Sequence, residues 1–575
     1  MGQHTTTSER IDELPLLIHW LKQMRVDVII DRVLGPAHGN WQGLSYGELA
    51  VVFLTHLVMS CTHFLSPVEA WAETHQVSLS QALGRPVRAQ DCTDDRLAVL
   101  LSKLGDEPTC PGQAIEAELG QHLIQAYALP TDTARIDMTT VSAHHQPQDA
   151  EGLMRFGRSK DHRPDLRQFK EVLGTLDPVG LPLATATVSG EQADDPHYLP
   201  AWQRLVATIG RPDFLAVGDC KLASLENRAH IHRGGGFYLT PLPMTGHTPA
   251  ELQAWVLQPP APMQAIRLPG QEAQEAPVGQ GFEVAVVCDW PDPDTPTRVS
   301  WTERRLVVQS AAHAQSQRLA LQERLTKAQT ALTALNAKPA TDQADLETRA
   351  QAILTRYRVS DYLGLSFRER VECHTRYVGR GRPGANRLTQ TLESRTWTVT
   401  SHRRPAAIAL AERLAGWRVY VTNTPAQRLS LAGAVNCYRQ EWQPEHGFHR
   451  LKGGLLAITP LFLRDDDRIR GLLVLLGIAL RVLTLTEFVA RRDLAASGEK
   501  LKGLYAGNPN RATNQPTAER LLKAFDHITL YRHETETEVW YEVTALSPLQ
   551  RRILQALGIP ESIYASPVAS QIESG

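Results

Sequence analysis

The residues best equipped for chemistry lie in one stretch, Cys437-Tyr-Arg-Gln-Glu-Trp-Gln-Pro-Glu-His-Gly-Phe-His-Arg-Leu-Lys452. Counted from Glu445, Tyr438 lies seven residues before, Glu441 four before, His449 four after and Lys452 seven after. That spacing brings side chains to one face of a helix. A carboxylate and an ammonium on one face can serve a metal ion and a phosphate together. The same pattern also describes an amphipathic helix with a solvated charged stripe, so the stretch decides nothing by itself.

Two further carboxylates give it context. Thr133-Ala-Arg-Ile-Asp-Met-Thr-Thr-Val141 reads as a strand with Asp137 near its end, and Phe214-Leu-Ala-Val-Gly-Asp-Cys-Lys-Leu222 as a second apolar strand ending at Asp219. Between them, residues 168–175 and 181–190 read as an extended pair joined by a turn at Asp177-Pro-Val-Gly180, followed by a helix over 197–209. The elements that must position the acids are therefore strand, strand, strand, helix, strand, and a late helix.

This order, with acids on the first and fourth strands and a glutamate on a late helix, resembles the ribonuclease H-like catalytic core of the DDE transposases. Within them the text is similar to the IS4-type superfamily, and there to the IS1634-like transposases. Four segments carry the resemblance: Ile136-Asp-Met-Thr139, Ser159-Lys-Asp-His-Arg-Pro-Asp-Leu166, Val217-Gly-Asp219, and the late helix with Glu445, six intervening residues and Lys452. The second is the most specific, because neither strand nor helix propensity accounts for it. Cys92-Thr-Asp-Asp-Arg-Leu97 resembles the family's leader region.

The chain departs from the pattern in two places. The IS4-type signature has an arginine four residues before the glutamate; here that position is Glu441, and Arg439 is the nearest base. Pro444 directly precedes Glu445, and proline inside a helix costs about 3 kcal/mol. Either the helix begins there, with proline in its first turn, or it kinks. In both cases Tyr438 and Glu441 leave the straight face that holds Glu445.

The resemblance implies an α/β fold with a ribonuclease H-like mixed-sheet catalytic core interrupted by a large α+β insertion; periodicity adds an all-helical N-terminal domain, for DNA contact or dimerisation, and a small C-terminal α+β tail. The corresponding spans are 1–128 for the helical domain, 129–243 and 416–495 for the two parts of the core, 244–415 for the insertion and 496–575 for the tail. Asp219 and Glu445 lie 226 positions apart, which calls for such an interruption. In the N-terminal part, residues 14–34, 46–60, 67–74, 95–104 and 113–128 carry helical periodicity. In the insertion, strands are expected at 282–288 and 304–309. Helices follow at 312–335 and 344–357, and Leu319, Leu321, Leu325, Leu332 and Leu335 are candidates for pairing them. Strands at 527–532 and 539–543 and a helix at 548–557 are expected in the tail.

Bulk composition bounds these readings. A length of 575 residues with 42% hydrophobic and 21% charged content is ordinary for a globular protein. The net charge of -2 provides no global basic field, so DNA binding must come from local patches. Lys160, His162, Arg163 and Arg167 form one such patch before the second strand, and His144 and His145 read as polar or DNA-proximal residues. Residues 361–405 hold nine arginines against four acids; Arg376, Arg380 and Arg382 lie in the most basic part, and a solvated β-hairpin is the plainer reading of it. Seven scattered cysteines without a CxxC pair indicate neither a zinc site nor a disulfide framework. The apolar runs at 49–61 and 471–480 are shorter than the roughly 20 residues of a membrane span, so buried helices are expected.

Three converging acids have a use in phosphodiester chemistry. Two Mg²⁺ ions about 4 Å apart activate an attacking oxygen and stabilise the leaving oxygen, and carboxylates suit a cation that prefers charged oxygen. The resemblance assigns Asp137, Asp219 and Glu445 to metal binding and catalysis, with Mn²⁺ as an expected substitute. It assigns Tyr438, Arg439, His449, Lys452, Lys160, Arg163, Arg167, Arg376, Arg380 and Arg382 to DNA. It further implies cut-and-paste transposition through a hairpin intermediate, with terminal inverted repeats and target DNA as partners, a homodimer on the DNA ends, no membrane, and a nucleoid-associated location in a bacterial cytoplasm. The residues themselves support metal-dependent phosphodiester chemistry. A plain nuclease of the same fold and an inactive, transposase-derived DNA-binding protein stay open as alternatives.

Overall fold

The computed structural model describes residues 4–144, 151–272, 274–292, 297–380 and 388–566. The chain forms two compact units: Met1–Thr240 with Asp289–Trp301 and Cys437–Gly575, and Pro241–Cys288 with Thr302–Asn436.

The first unit is built on a mixed sheet. Its strands are β1 (Thr133–Ala143), β2 (Arg167–Leu176) and β3 (Leu181–Ser189), then, after helix α1 (Tyr198–Ile209), β4 (Leu215–Gly218) and β5 (Phe237–Pro241). Their spatial order is β3-β2-β1-β4-β5. β1 runs antiparallel to β2, and β2 to β3, whereas β4 is parallel to both β1 and β5. This order and polarity are consistent with the ribonuclease H-like core expected from the sequence. β2 is almost wholly buried, its polar Gln168, Lys170, Glu171 and Thr175 included, so both faces of the strand are covered.

Two later helices complete the unit. α2 (Trp442–Lys452) carries the stretch rich in acids and bases, and α3 (Asp466–Ser497) runs 32 residues through the core. α3 is long and apolar enough to cross a membrane by length and composition, yet 89% of its most apolar window is buried inside the protein. Asp465 caps its N-terminus by accepting from the Arg468 N–H at 3.0 Å.

The N-terminal part is not all-helical. Thr5–Arg10 is a strand paired antiparallel with Thr529–Glu534, itself paired with Val539–Val543. Polar and exposed, it carries no alternating pattern, and its partner lies more than 500 residues away, so local sequence could not announce it. The helix expected over 14–34 is two, Leu14–Gln23 and Val26–Leu34, broken at Arg25, which adopts a left-handed φ of 61°. A further helix, Gln76–Leu83, follows Val68–Thr74.

The second unit holds the antiparallel helix pair Ala311–Leu335 and Gln343–Tyr357. Leu321, Leu325 and Leu332 meet Leu346, Ala350 and Leu354 in one apolar cluster, whereas Leu319 is 64% exposed. The strand Trp417–Thr422 pairs antiparallel with Arg304–Gln309. Leu363–Tyr377 and Thr389–Arg403 form a two-stranded ribbon in continuous antiparallel register, exposed over most of its length.

Candidate active site

β1 and β4 place the two aspartates. Their parallel pairing ends at Ile136 opposite Gly218, so Asp137 and Asp219 are the next residue on each strand. Neighbouring strands lie about 4.8 Å apart, and residues at matching positions face the same side. Asp137 thus sits in the middle of β1, not near its end; what ends there is the parallel ladder. Beyond it Asp219 turns into a loop, where Oδ1 accepts from the Lys221 N–H at 2.8 Å and from the Tyr198 hydroxyl at 2.6 Å. Gly218 permits this approach: a Cβ there would stand 2.9 Å from the Tyr198 ring.

α2 covers the same face. Leu173, the cross-strand partner of Asp137, lies 3.1 Å from where a Cβ on Gly447 would stand. Arg450 fastens the helix by an ion pair with Glu487 of α3 and a second, at 2.8 Å, with Glu519. Pro444 falls in the first turn of α2, so the helix starts at Trp442 and the proline interrupts nothing. Tyr438 belongs to the preceding helix, Leu431–Tyr438, and Glu441 is the N-cap residue between the two.

This start decides which acid faces the aspartates. A narrow cleft is lined by Arg135, Asp137, Asp219, Tyr438, Glu441 and Pro444, among others. Glu441 accepts from the Tyr438 hydroxyl at 3.0 Å. Glu445, one turn further on, is exposed and is not among the residues lining the cleft. Arg135 is 2% exposed; it donates through Nε to both oxygens of Asp177 at 2.8 and 2.7 Å and through Nη2 to the Cys437 carbonyl, which ties β1 to the start of the Tyr438 to Glu441 turn.

The cleft concentrates negative charge. Burial, with the nearby Asp219 and Glu441 carboxylates, pushes the Asp137 carboxyl up to about 6, against the partial relief of Lys160 and the Met138 N–H. Burial also raises Glu441, with Asp219 and Glu445 adding to it while the Tyr438 hydroxyl and Arg135 oppose. Tyr198 is held well above the ordinary phenol range by burial and by the charges of Asp219 and Asp137. An all-oxygen donor set carrying excess like charge fits a hard divalent cation. Among the described residues, the three carboxylates whose ligand atoms all lie within 4.8 Å of one another are Asp12, Glu13 and Asp526, far from this cleft in sequence.

The cationic residues divide into two groups. Lys160 donates to the Met138 carbonyl and stands 3.8 Å from Asp137, and its own N–H bonds Thr140 Oγ1 at 3.2 Å. Lys452 contacts both oxygens of Asp161 at 3.1 Å. The segment 159–167 is thereby folded against β1 and α2. Arg163 pairs with Asp165 at 2.7 Å, and Arg167 donates to the Met154 carbonyl at 3.1 Å and stacks on Phe156. Arg439 and His449 are exposed, Tyr438 is buried, and Arg376 and Arg380 are exposed on the ribbon in the other unit. Arg382 and His145 lie outside the described residues; His144 is exposed. All seven cysteines are free.

Sequence reasoning missed Tyr198, Arg135 and Arg450. Arg135 had a signal, since two residues before Asp137 on a strand means the same face. Tyr198 and Arg450 had none, their partners being distant in sequence.

No family model matches the chain, and no curated protein matches it. It is similar to a solved structure of the piggyBac transposase synaptic complex with hairpin DNA over 100% of this chain and 91% of that one, at a TM-score of 0.35 and 9% sequence identity. A likeness of that size assigns neither a family nor a function to the chain.

Proposed function

We propose that the chain is a DDE-type DNA transposase of the IS4-type, IS1634-like kind, cutting and joining phosphodiesters with divalent metal ions. The observation that carries this reading is the placement of Asp137 and Asp219 side by side where the β1–β4 ladder ends, with the start of α2 packed over the same face. Asp137, Asp219 and Glu445 would hold the metal, Mg²⁺ or in its place Mn²⁺. Such ions, held by these carboxylates, would supply activation of an attacking water or DNA 3'-hydroxyl and stabilisation of the leaving oxygen. Tyr198 fixes the orientation of Asp219 through its 2.6 Å hydrogen bond. Lys160 balances part of the charge on Asp137.

DNA contacts fall to Lys160, Arg163, Arg167, Arg439, His449 and Lys452, to Arg376 of the ribbon, and to Arg380 and Arg382. Arginine and lysine pair with phosphates without reading sequence, which suits strands held for cutting. Cut-and-paste transposition through a hairpin intermediate, a homodimer on paired transposon ends, and a nucleoid-associated location belong to the same proposal.

The test is a cleavage assay with Mg²⁺ or Mn²⁺ on DNA carrying the element's own ends, comparing wild type with Asp219→Ala and Glu445→Ala. Metal-dependent cutting at the ends, abolished by both substitutions while end binding survives, is the expected result. Cutting without preference for the ends would make the chain a plain nuclease. Binding of the ends without any cutting would make it a DNA-binding protein only.

A further inference from the structure

We infer that Glu441 is a working carboxylate of the cleft, a ligand together with Asp137 and Asp219 for a divalent cation. This rests on the reading of the cleft as a cation site and adds to it a residue that the acid spacing alone would not select.

Three observations point to it. Glu441 lines the cleft with both aspartates, whereas Glu445 does not. It is the N-cap residue of α2, yet its side chain makes no capping hydrogen bond to the helix. An acid at a helix start ordinarily takes one of the orphan N–H groups of the first turn; this one accepts instead from the Tyr438 hydroxyl at 3.0 Å, within the cleft that both aspartates line. Finally, Arg135 lines the same cleft, 2% exposed, with its Nη1 lacking any hydrogen-bond partner. Its guanidinium, shared with the Asp177 carboxylate, is a partial counter-charge beside the cleft that helps a third carboxylate remain there before a cation arrives.

The plainer account makes Glu441 a structural residue that favours the positive end of the α2 dipole. The two separate by chain length. Glu441→Asp keeps the negative charge at the helix start but withdraws the carboxylate by one methylene; Glu441→Gln keeps the shape and the Tyr438 contact but removes the charge.

The experiment is Mn²⁺ binding to the full chain, read by electron paramagnetic resonance of free Mn²⁺, for wild type, Glu441→Asp, Glu441→Gln, Glu445→Gln and Asp219→Asn, with circular dichroism confirming the fold of each. The expected result is a loss of Mn²⁺ affinity of about tenfold or more in both Glu441 variants and a comparable or larger loss in Asp219→Asn. Wild-type affinity in Glu441→Asp and Glu441→Gln, with a loss in Asp219→Asn, would overturn the assignment of Glu441 while leaving the cation site in place. Unchanged affinity in Asp219→Asn as well would overturn the cation site itself, and Glu441's role with it.

Discussion

One buried acid of the first unit and the half-buried acids of its cleft are treated in opposite ways. Glu116, 2% exposed, accepts from the Thr185 N–H at 3.1 Å, the Thr185 hydroxyl at 2.6 Å, Arg204 at 2.8 Å and the fully buried Arg481 at 3.4 Å. Its charge is matched by two guanidinium groups. In the cleft, Asp137, Asp219 and Glu441 crowd one another, and the cations at hand are Lys160, 3.8 Å from Asp137, and Arg135, already committed to Asp177. The same chain thus balances a buried acid where the purpose is packing and leaves acids in excess where β1, β4 and α2 meet. Excess of this kind costs stability and persists at sites that bind something of opposite charge.

The contrast can be broken at its strongest point first. Asp137→Asn or Asp219→Asn should lower metal-dependent DNA cleavage on the order of 10³-fold, the several kcal/mol a held metal ion supplies, with no loss of thermal stability; an end-cleavage time course and a melting curve check both halves. Arg135→Ala should act on folding, because it strands Asp177 as a buried unpaired charge; a loss of about 3–5 kcal/mol is expected in chemical denaturation. Tyr198→Phe removes one hydrogen bond to Asp219 and should reduce cleavage roughly 10- to 100-fold while the fold holds.

The pH dependence sharpens the same point. Asp137 is raised from an ordinary 3.8 to about 6, so the folded protein binds its proton more tightly than the unfolded chain does. Its contribution to stability is fully present below about pH 4 and is lost as pH rises through about 6. Metal-free wild type should therefore lose stability across that window relative to Asp137→Asn, as melting at a series of pH values would read, and Mn²⁺ affinity should weaken as pH falls below 6. The smallest effect belongs to the ribbon: Arg376→Ala or Arg380→Ala should each reduce the salt slope of DNA binding by about one, with little effect on sequence preference.

Much of this arrangement was legible in the sequence. The strands around Asp137 and Asp219, the turn at 177–180 and the helix beginning near residue 197 follow from apolar runs punctuated by turn residues. Pro444 announced that the late helix either starts or kinks there, and it starts. What could not be read was the consequence for side-chain direction. Counting by sevens and fours through Pro444 assumes one continuous helix, so it singles out Glu445, whereas a helix beginning at Trp442 turns Glu441 into the cleft. The break at Arg25 was hidden because apolar periodicity continues across it. The strand Thr5–Arg10 was hidden because what holds it is distant in sequence, a partner strand in the tail and the 75–78 segment that bonds Glu9. In each case the missing information is tertiary, not local.

The central claim is that a divalent cation is held where β1, β4 and the start of α2 meet, by Asp137 and Asp219 with glutamate from the 441–445 turn. The most direct measurement replaces Mg²⁺ by Fe²⁺, adds ascorbate and peroxide, and maps where the generated radicals cut the polypeptide. Cuts near residues 137, 219 and 438–445 that disappear in Asp219→Asn are predicted. Cuts centred instead on Asp12 and Asp526, or a pattern that Asp219→Asn leaves unchanged, would contradict the account.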